Sequence, residues 1–449
     1  MAEGKIHFDK GFLSKLVVPL IIEQVLAVTV GMAAMIMVGG AGAGDEAVSG
    51  VSLVNTISNL LIYVFSAMAT GGAVVASQCL GKKDFKIAVT VSNQILLLCF
   101  AIAAVVMAVS LVGNRAVLSL IYGAVEPGVM ENAVTYFYIT AFSFPFLSVY
   151  YGSTALFRSM GNSKISVYTS VIMNIINIGG NAVLVYGFNM GVAGVGIATL
   201  ASRVVSCVVA LVILRKPKYV LHIDRNIFRG FDLPIIKKVL KIGLPSGIEN
   251  GMFQIGKLFT QSLITSFGTA SIAANAVAST IELLATIPAS AVGLALTTVV
   301  GQCVGADDYV SARSYTKNLL KKAYIILIAL NVLIIAVAPT IAGWYNLTFE
   351  GDRLARQLIV YHSVCCMVLW PLAYSLASTL RAAGDVKFTL ISSTASMWVF
   401  RILLSYLIGG YMHVGVLGVW IAMTIDWAVR ALLNVVRFHG RKWQHEAIV

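Results

Sequence analysis

The chemistry in this chain has to come from charges placed where charges are costly. Of 449 residues, 59% are hydrophobic and only 11% are charged, and Glu23, Arg203, Glu249, Lys257, Glu282, Arg401 and Asp426 lie inside apolar runs. An ionisable group at membrane depth costs roughly 2.5–3.5 kcal/mol on insertion scales, so each needs a partner or a task. A desolvated carboxylate can exchange a proton or hold a cation, because burial disfavours its charged form. Residues equidistant from a helical turn lie at one depth. With a turn at Gly268 and Thr269, Lys257 is level with Glu282; with a turn near Met412, Arg401 falls within a turn of Asp426. Both are expected to be structural ion pairs. A turn near Asn189 sets Arg203 level with residues 174–177, whose amides or carbonyls are its expected partners. Glu23 and Glu249 have no cation at their own depth. They are the first candidates for ion coupling, Glu249 ahead of Glu23, with Glu282 and Asp426 behind them.

Polar and adaptable side chains on the same runs are candidate solute contacts: Gln24, Tyr63, Asn177, Asn181, Asn250, Met252, Phe253 and Gln254. Asn177 and Asn181 are one helical turn apart, as are Asn250 and Gln254, so each half has an amide stripe. Such stripes bind ligands or join helices. No Gly-Lys-Ser or Gly-Lys-Thr phosphate loop, no His-Glu-x-x-His and no nucleophile constellation occurs, which points away from an enzyme and from ATP drive. The six cysteines lack metal-ligand spacing, so neither a metal nor another cofactor is expected beyond a coupling proton or sodium ion.

The elements that position these groups are apolar runs of about 20 residues or more, the length that crosses a bilayer. Their continuous apolarity excludes the alternating strands of an outer-membrane barrel. The reading is an all-α polytopic membrane protein of twelve spans, at 13–38, 47–78, 85–112, 130–156, 164–187, 191–214, 237–265, 270–303, 310–338, 355–380, 387–410 and 414–438. The first run is too long for a cleaved signal peptide. Of the lysines and arginines, 25 fall in the termini and alternate connections on one side and three, Arg115, Arg353 and Arg356, on the other. The positive-inside rule then places both termini in the cytoplasm of a cell-membrane protein. The net charge of +13 is spread over short loops, so it reports topology and not nucleic-acid binding. Lipids are the expected surroundings, and a monomer is the expected state.

The chain repeats itself at an offset near 224. SQCLGKKDFKIA from Ser77 matches GQCVGADDYVSA from Gly301, FRSMGNSK from Phe157 matches LRAAGDVK from Leu380, GVAGVGIAT from Gly191 matches GVLGVWIAM from Gly415, and KLVVPLIIEQ from Lys15 matches KIGLPSGIEN from Lys241. Two six-span repeats enter the membrane in the same orientation. This divides the chain into an N-lobe at 1–214, a basic linker at 215–236 and a C-lobe at 237–449, expected to surround a central cavity.

These motifs resemble those of multidrug and toxic compound extrusion transporters: Pro19 and Gln24 in the first span, the MVGGAG segment after it, Gln-x-x-Gly-x-x-Asp in both halves, and Leu-Arg-x-x-Gly at Arg381. The resemblance covers essentially the whole chain. It implies an antiporter exporting amphipathic, often cationic, compounds in exchange for protons or sodium by alternating access. The chain departs from the pattern where relatives often carry acids: the matching positions are Ala34, Asn181 and, in the second half, Phe253, one turn after Glu249. The competing readings are a flippase for a lipid-linked precursor or polysaccharide and a non-transporting receptor or scaffold. Against the flippase, the membrane cations are expected to be neutralised by Glu282 and Asp426; against the scaffold stands the tandem repeat with its paired acids.

Overall fold

In the computed structural model the chain is helical, with no strand among the described residues. The structure describes residues 8–40, 44–123, 126–224, 227, 230–345 and 347–448, excepting the side chains of 10, 30–36, 38–40, 44 and 45. Twelve long elements follow in order: α1 (Lys10–Gly40), α2 (Gly44–Gly81), α3 (Phe85–Val112), α4 (Pro127–Ala141 and Phe144–Ser159), α5 (Ser163–Gly187), α6 (Gly191–Leu214), α7 (Leu233–Thr265), α8 (Thr269–Ala285 and Ile287–Gly305), α9 (Tyr309–Gly343), α10 (Phe349–Ala382), α11 (Val386–Tyr411) and α12 (Val416–His439). Ten helices among the described residues are long and apolar enough to cross a membrane, or eleven with the bent α4 taken as one span. The element outside that class, α7, carries Lys237, Lys238, Lys241, Glu249 and Lys257. The protein is thus a multi-pass membrane protein.

The breaks have local causes. The two parts of α4 meet at 50°, where Ser143 donates its hydroxyl to the Thr140 carbonyl at 2.6 Å and Pro145 has no N–H to continue the ladder. In α8 the break at Thr286 precedes Pro288.

The sequence repeat is written into the backbone. Lys83 and Asp307 (φ 61° and 55°), Gly161 and Gly384 (75° and 98°), Asn189 and His413 (52° and 57°), and Gly191 and Gly415 (52° and 72°) are left-handed at matching positions. In the Gln-x-x-Gly-x-x-Asp segments the left-handed residue turns the chain, and the Asp that follows caps the next helix. Asp84 accepts from the Ile87 N–H at 3.1 Å and Asp308 from the Ser311 N–H at 3.0 Å. Gly161 and Gly384 end α4 and α10 in another matched turn, closed by bonds from Asn162 N to Phe157 O and from Asp385 N to Leu380 O, both 3.0 Å.

The chain forms two compact units: Val18–Gly247, and Ile248–Val449 with the chain up to Val17. In the first unit Val51, Phe65, Phe137, Phe144 and Val195 share a core; in the second Ile281, Leu358, Trp420, Met423 and Trp427 do. Close helix approach rests on small residues, as in membranes generally: a Cβ on Gly418 would come within 2.7 Å of the Gly409 nitrogen. Both units keep a segment outside their helices folded against them. In the first, Tyr219 meets the Phe157 ring edge-on at 6.0 Å and Leu221 N–H reaches Met160 Sδ at 3.4 Å. In the second, Trp443 is fully buried, stacked on Phe438 at 5.6 Å.

Candidate functional site

Glu23 and Glu249 each follow a helix-interior proline, Pro19 or Pro245, by four residues. In the first unit Arg158 Nη1 donates to Glu23 Oε1 at 3.0 Å. In the second, Arg381 Nη1 donates to Glu249 Oε1 at 3.3 Å, and Arg381 also donates to Ser378 Oγ at 3.2 Å. The expectation that these acids lack a cation is therefore corrected. Arg158 and Arg381 are repeat equivalents that sit one turn before the Gly161 and Gly384 turns. Each unit thus carries the same Glu–Arg pair, tying the proline helix to the end of the fourth helix of its repeat. All four side chains are largely buried, and Glu23 Oε2 has no hydrogen-bond partner.

The second unit has a further ionic cluster. Asp426, fully buried, accepts from Arg430 Nε at 2.7 Å and from the Ser396 hydroxyl at 2.5 Å, and lies 4.0 Å from Arg401 Nη1. The expected Arg401–Asp426 association is present, but Arg430, on the next turn of α12, is the closer partner. Lys257 and Glu282 line one cavity, yet they form no ion pair, because the ammonium turns to the Phe253 ring, 5.5 Å from its centroid. Arg401 and Arg430 face the same ring at 5.1 and 5.8 Å. The expected neutralisation of the membrane cations is thus incomplete: three cations surround Phe253, and Asp426 engages mainly one.

In the first unit, Arg203 donates to Ser143 Oγ at 2.7 Å. Its partner is the hydroxyl at the α4 bend and not the amides of α5. Those amides bond along and between helices: Asn181 to Asn177 Oδ1 at 3.1 Å, Asn177 to Thr199 Oγ1 at 3.3 Å and Asn174 to Ser170 O at 2.8 Å. Asn177 and Asn181 are buried, and the Asn177–Thr199 bond joins α5 to α6. Gln24, Asn250, Met252, Phe253 and Gln254 are half-buried, and Tyr63 is exposed. The Ala34 side chain lies outside the described residues.

A family model described as MatE matches residues 19–183 and 245–407, the two repeats that carry the two Glu–Arg pairs. The chain belongs to the MatE family. It is 27% identical over 445 residues to the "Uncharacterized transporter YisQ" of Bacillus subtilis (strain 168), covering 97% of this chain and 95% of that protein. It is 25% identical to the "Probable multidrug resistance protein YoeA" of the same organism, over 97% and 94%. A solved MATE structure in the bent conformation superposes with a TM-score of 0.88 at 21% identity, covering 96% of this chain and 94% of that one. The fold is that of MATE transporters.

Within this MatE chain, three residues escape a reading of the sequence as partners of the site acids: Arg158, Arg381, named there only for its Leu-Arg-x-x-Gly motif, and Arg430. The signal for the first two was present, since FRSMGNSK and LRAAGDVK align arginine with arginine at an offset of 223, close to the 226 that separates Glu23 from Glu249. For Arg430 it was the i,i+4 spacing from Asp426.

Proposed function

We propose that the chain is a secondary active efflux antiporter, exporting amphipathic, often cationic, small molecules in exchange for protons or sodium as the two units alternate access between the membrane faces. The relatives named as multidrug resistance proteins support the substrate class. The observation that carries the coupling is the duplicated Glu–Arg pair. A proton or cation arriving at the carboxylate competes directly with the guanidinium, so occupancy of the ion site and release of the arginine are one event. The proline four residues earlier removes a backbone hydrogen bond from the helix that bears the acid, which lets a change at the pair be expressed as a change in helix direction. Half-buried Gln24, Asn250, Met252 and Gln254, with exposed Tyr63, supply solute contacts beside the acids. The basic loops support a topology with both termini in the cytoplasm, with the transporter working as a monomer in the cell membrane.

The test is transport in proteoliposomes with ethidium as solute. Glu249→Gln keeps shape but removes titration; it is expected to abolish efflux driven by an imposed proton or sodium gradient while leaving ethidium binding within about twofold, a difference of about 0.4 kcal/mol. Glu23→Gln is expected to reduce the rate in part. Wild-type rates for both variants at matched protein levels would overturn the assignment and move the coupling role to Glu282 or Asp426.

A further inference from the structure

In the second unit α10 and α12 meet along a seam of polar atoms that find no partner in the protein. The Trp427 ring is its centre: it meets His362 at 5.5 Å, Trp370 at 5.0 Å and Tyr374 at 6.3 Å, each edge-on. Arg430, one turn further along α12, stands 5.6 Å from the Tyr374 ring and donates Nε to Asp426 Oδ1 at 2.7 Å. Six side-chain atoms of this group are buried without a hydrogen-bond partner among the described residues: His362 Nε2, Trp370 Nε1, Tyr374 Oη, Asp426 Oδ2, Trp427 Nε1 and Arg430 Nη2. Arg401 Nη1 approaches Asp426 Oδ2 only to 4.0 Å. The indole N–H groups of Trp420 and Trp443, by contrast, reach Asn275 Oδ1 and the Phe438 carbonyl, both at 3.0 Å. None of the six residues lines the cavity around Lys257. A buried donor or acceptor left unpaired is costly, and a cluster of them calls for a common partner.

The chemistry of the six atoms selects that partner. The two indole nitrogens and the guanidinium can only donate, whereas a carboxylate oxygen can only accept. A metal cation accepts nothing from an N–H and is repelled by Arg430; an inorganic anion has nothing to donate to Asp426. Water does both. We propose that the seam between α10 and α12 is a binding site for ordered water, a short chain of molecules running from the two indoles to the Asp426–Arg430 pair. The His362 nitrogen and the Tyr374 hydroxyl fit at either sense of the chain, since each donates or accepts. A buried water makes about three hydrogen bonds, so six open atoms call for about two molecules. The backbone of α10 is wider here: the turn Pro371–Ser375 is π-helical, with Leu376 N–H bonded back to the Pro371 carbonyl, and Asn434 Nδ2 takes the Leu372 and Ala373 carbonyls at 3.1 and 2.9 Å. The waters solvate an ion pair inside a membrane-spanning unit, where an ionisable group needs a partner. This site holds neither the exported solute nor the coupling ion, and it does not depend on the antiport reading.

The experiment is X-ray radiolytic labelling of the purified full-length protein in detergent, in which hydroxyl radicals formed from a bound water oxidise the side chain beside it and mass spectrometry reads the rate at each residue. Trp427 and Trp443 are both fully buried and differ in whether the indole N–H has a protein partner. Trp427 is expected to be oxidised at least about fivefold faster than Trp443, because only its N–H is left for water. Tyr374→Phe removes an unpaired hydroxyl and little volume; it is expected to slow Trp427 oxidation at least about threefold by taking one partner from the chain, and to leave Trp443 unchanged. Equal rates at Trp427 and Trp443 in the wild type, or a Trp427 rate unaffected by Tyr374→Phe, would each overturn the proposal. No transport is measured, so the outcome is separate from that of the efflux experiment.

Discussion

Replacing Arg158 or Arg381 by glutamine leaves Glu23 or Glu249 without its cation in a largely buried setting. The loss of a partner from a buried pair costs about 3–5 kcal/mol, so each variant is expected to unfold at clearly lower temperature in a detergent melt. The doubles Glu23→Gln/Arg158→Gln and Glu249→Gln/Arg381→Gln should recover part of the loss; doubles no better than the single arginine variants would show that the arginines act through packing. Lys257→Gln is expected to leave the melt nearly unchanged, because Lys257 is exposed and makes no ion pair. These arginines were hidden by a boundary error of a residue or two: ending the fourth and tenth spans at 156 and 380 puts Arg158 and Arg381 in the basic loops, whereas the helices run on to Ser159 and Ala382. The acids were legible because they stand deep inside apolar runs. The equal-depth rule gave the Arg401–Asp426 pair, at 4.0 Å, but neither a Lys257–Glu282 bond nor the partner of Arg203, since depth fixes one coordinate and leaves helix rotation free. Lys257 and Glu282 share a cavity for that reason without pairing.

At the level of elements, the paired signature segments are turn-and-cap devices, and they make a quantitative expectation. Asp84→Ala and Asp308→Ala each remove a side-chain cap and should cost about 1 kcal/mol, adding in the double variant because the two lie in separate units; thermal melts of the singles and the double check this. Ser143→Ala is a different case. It removes the acceptor of a half-buried arginine, and leaving such a donor unsatisfied costs about 1 kcal/mol or more, so this variant should melt no higher than either cap variant. The spans themselves were legible from apolar length and loop charge. The 50° bend in α4 was not, because its composition stays apolar through the break; the local cause is Pro145 beside a serine hydroxyl already bonded to the preceding turn. In α5 the asparagine spacing correctly marked one helix face. It did not reveal that α6 supplies Thr199 to cover it.

For the whole molecule, topology is testable by fusion: green fluorescent protein on the C-terminus should fluoresce and alkaline phosphatase there should be inactive, with the reverse result contradicting the loop-charge argument. The second unit's closing segment offers another test. At Gly384, with φ 98°, an added Cβ would run into the Glu446 carbonyl oxygen, so Gly384→Ala should free the residues after His439 to protease while a Gly440→Ala control, in extended backbone, should not. The internal repeat forecast two units of like design, and the left-handed positions recur at its offset. The membership of the first residues could not be read from it. Residues 8–17 fold with Ile248–Val449, where Phe8 N–H donates to the Tyr315 hydroxyl at 2.7 Å and the two rings meet edge-on at 5.4 Å. That membership sets a schedule for biosynthesis. The contact around Phe8 forms late, since Tyr315 is translated more than 300 residues after Phe8, and until then the Phe8 ring lacks the edge-on aromatic partner that it meets in the folded chain.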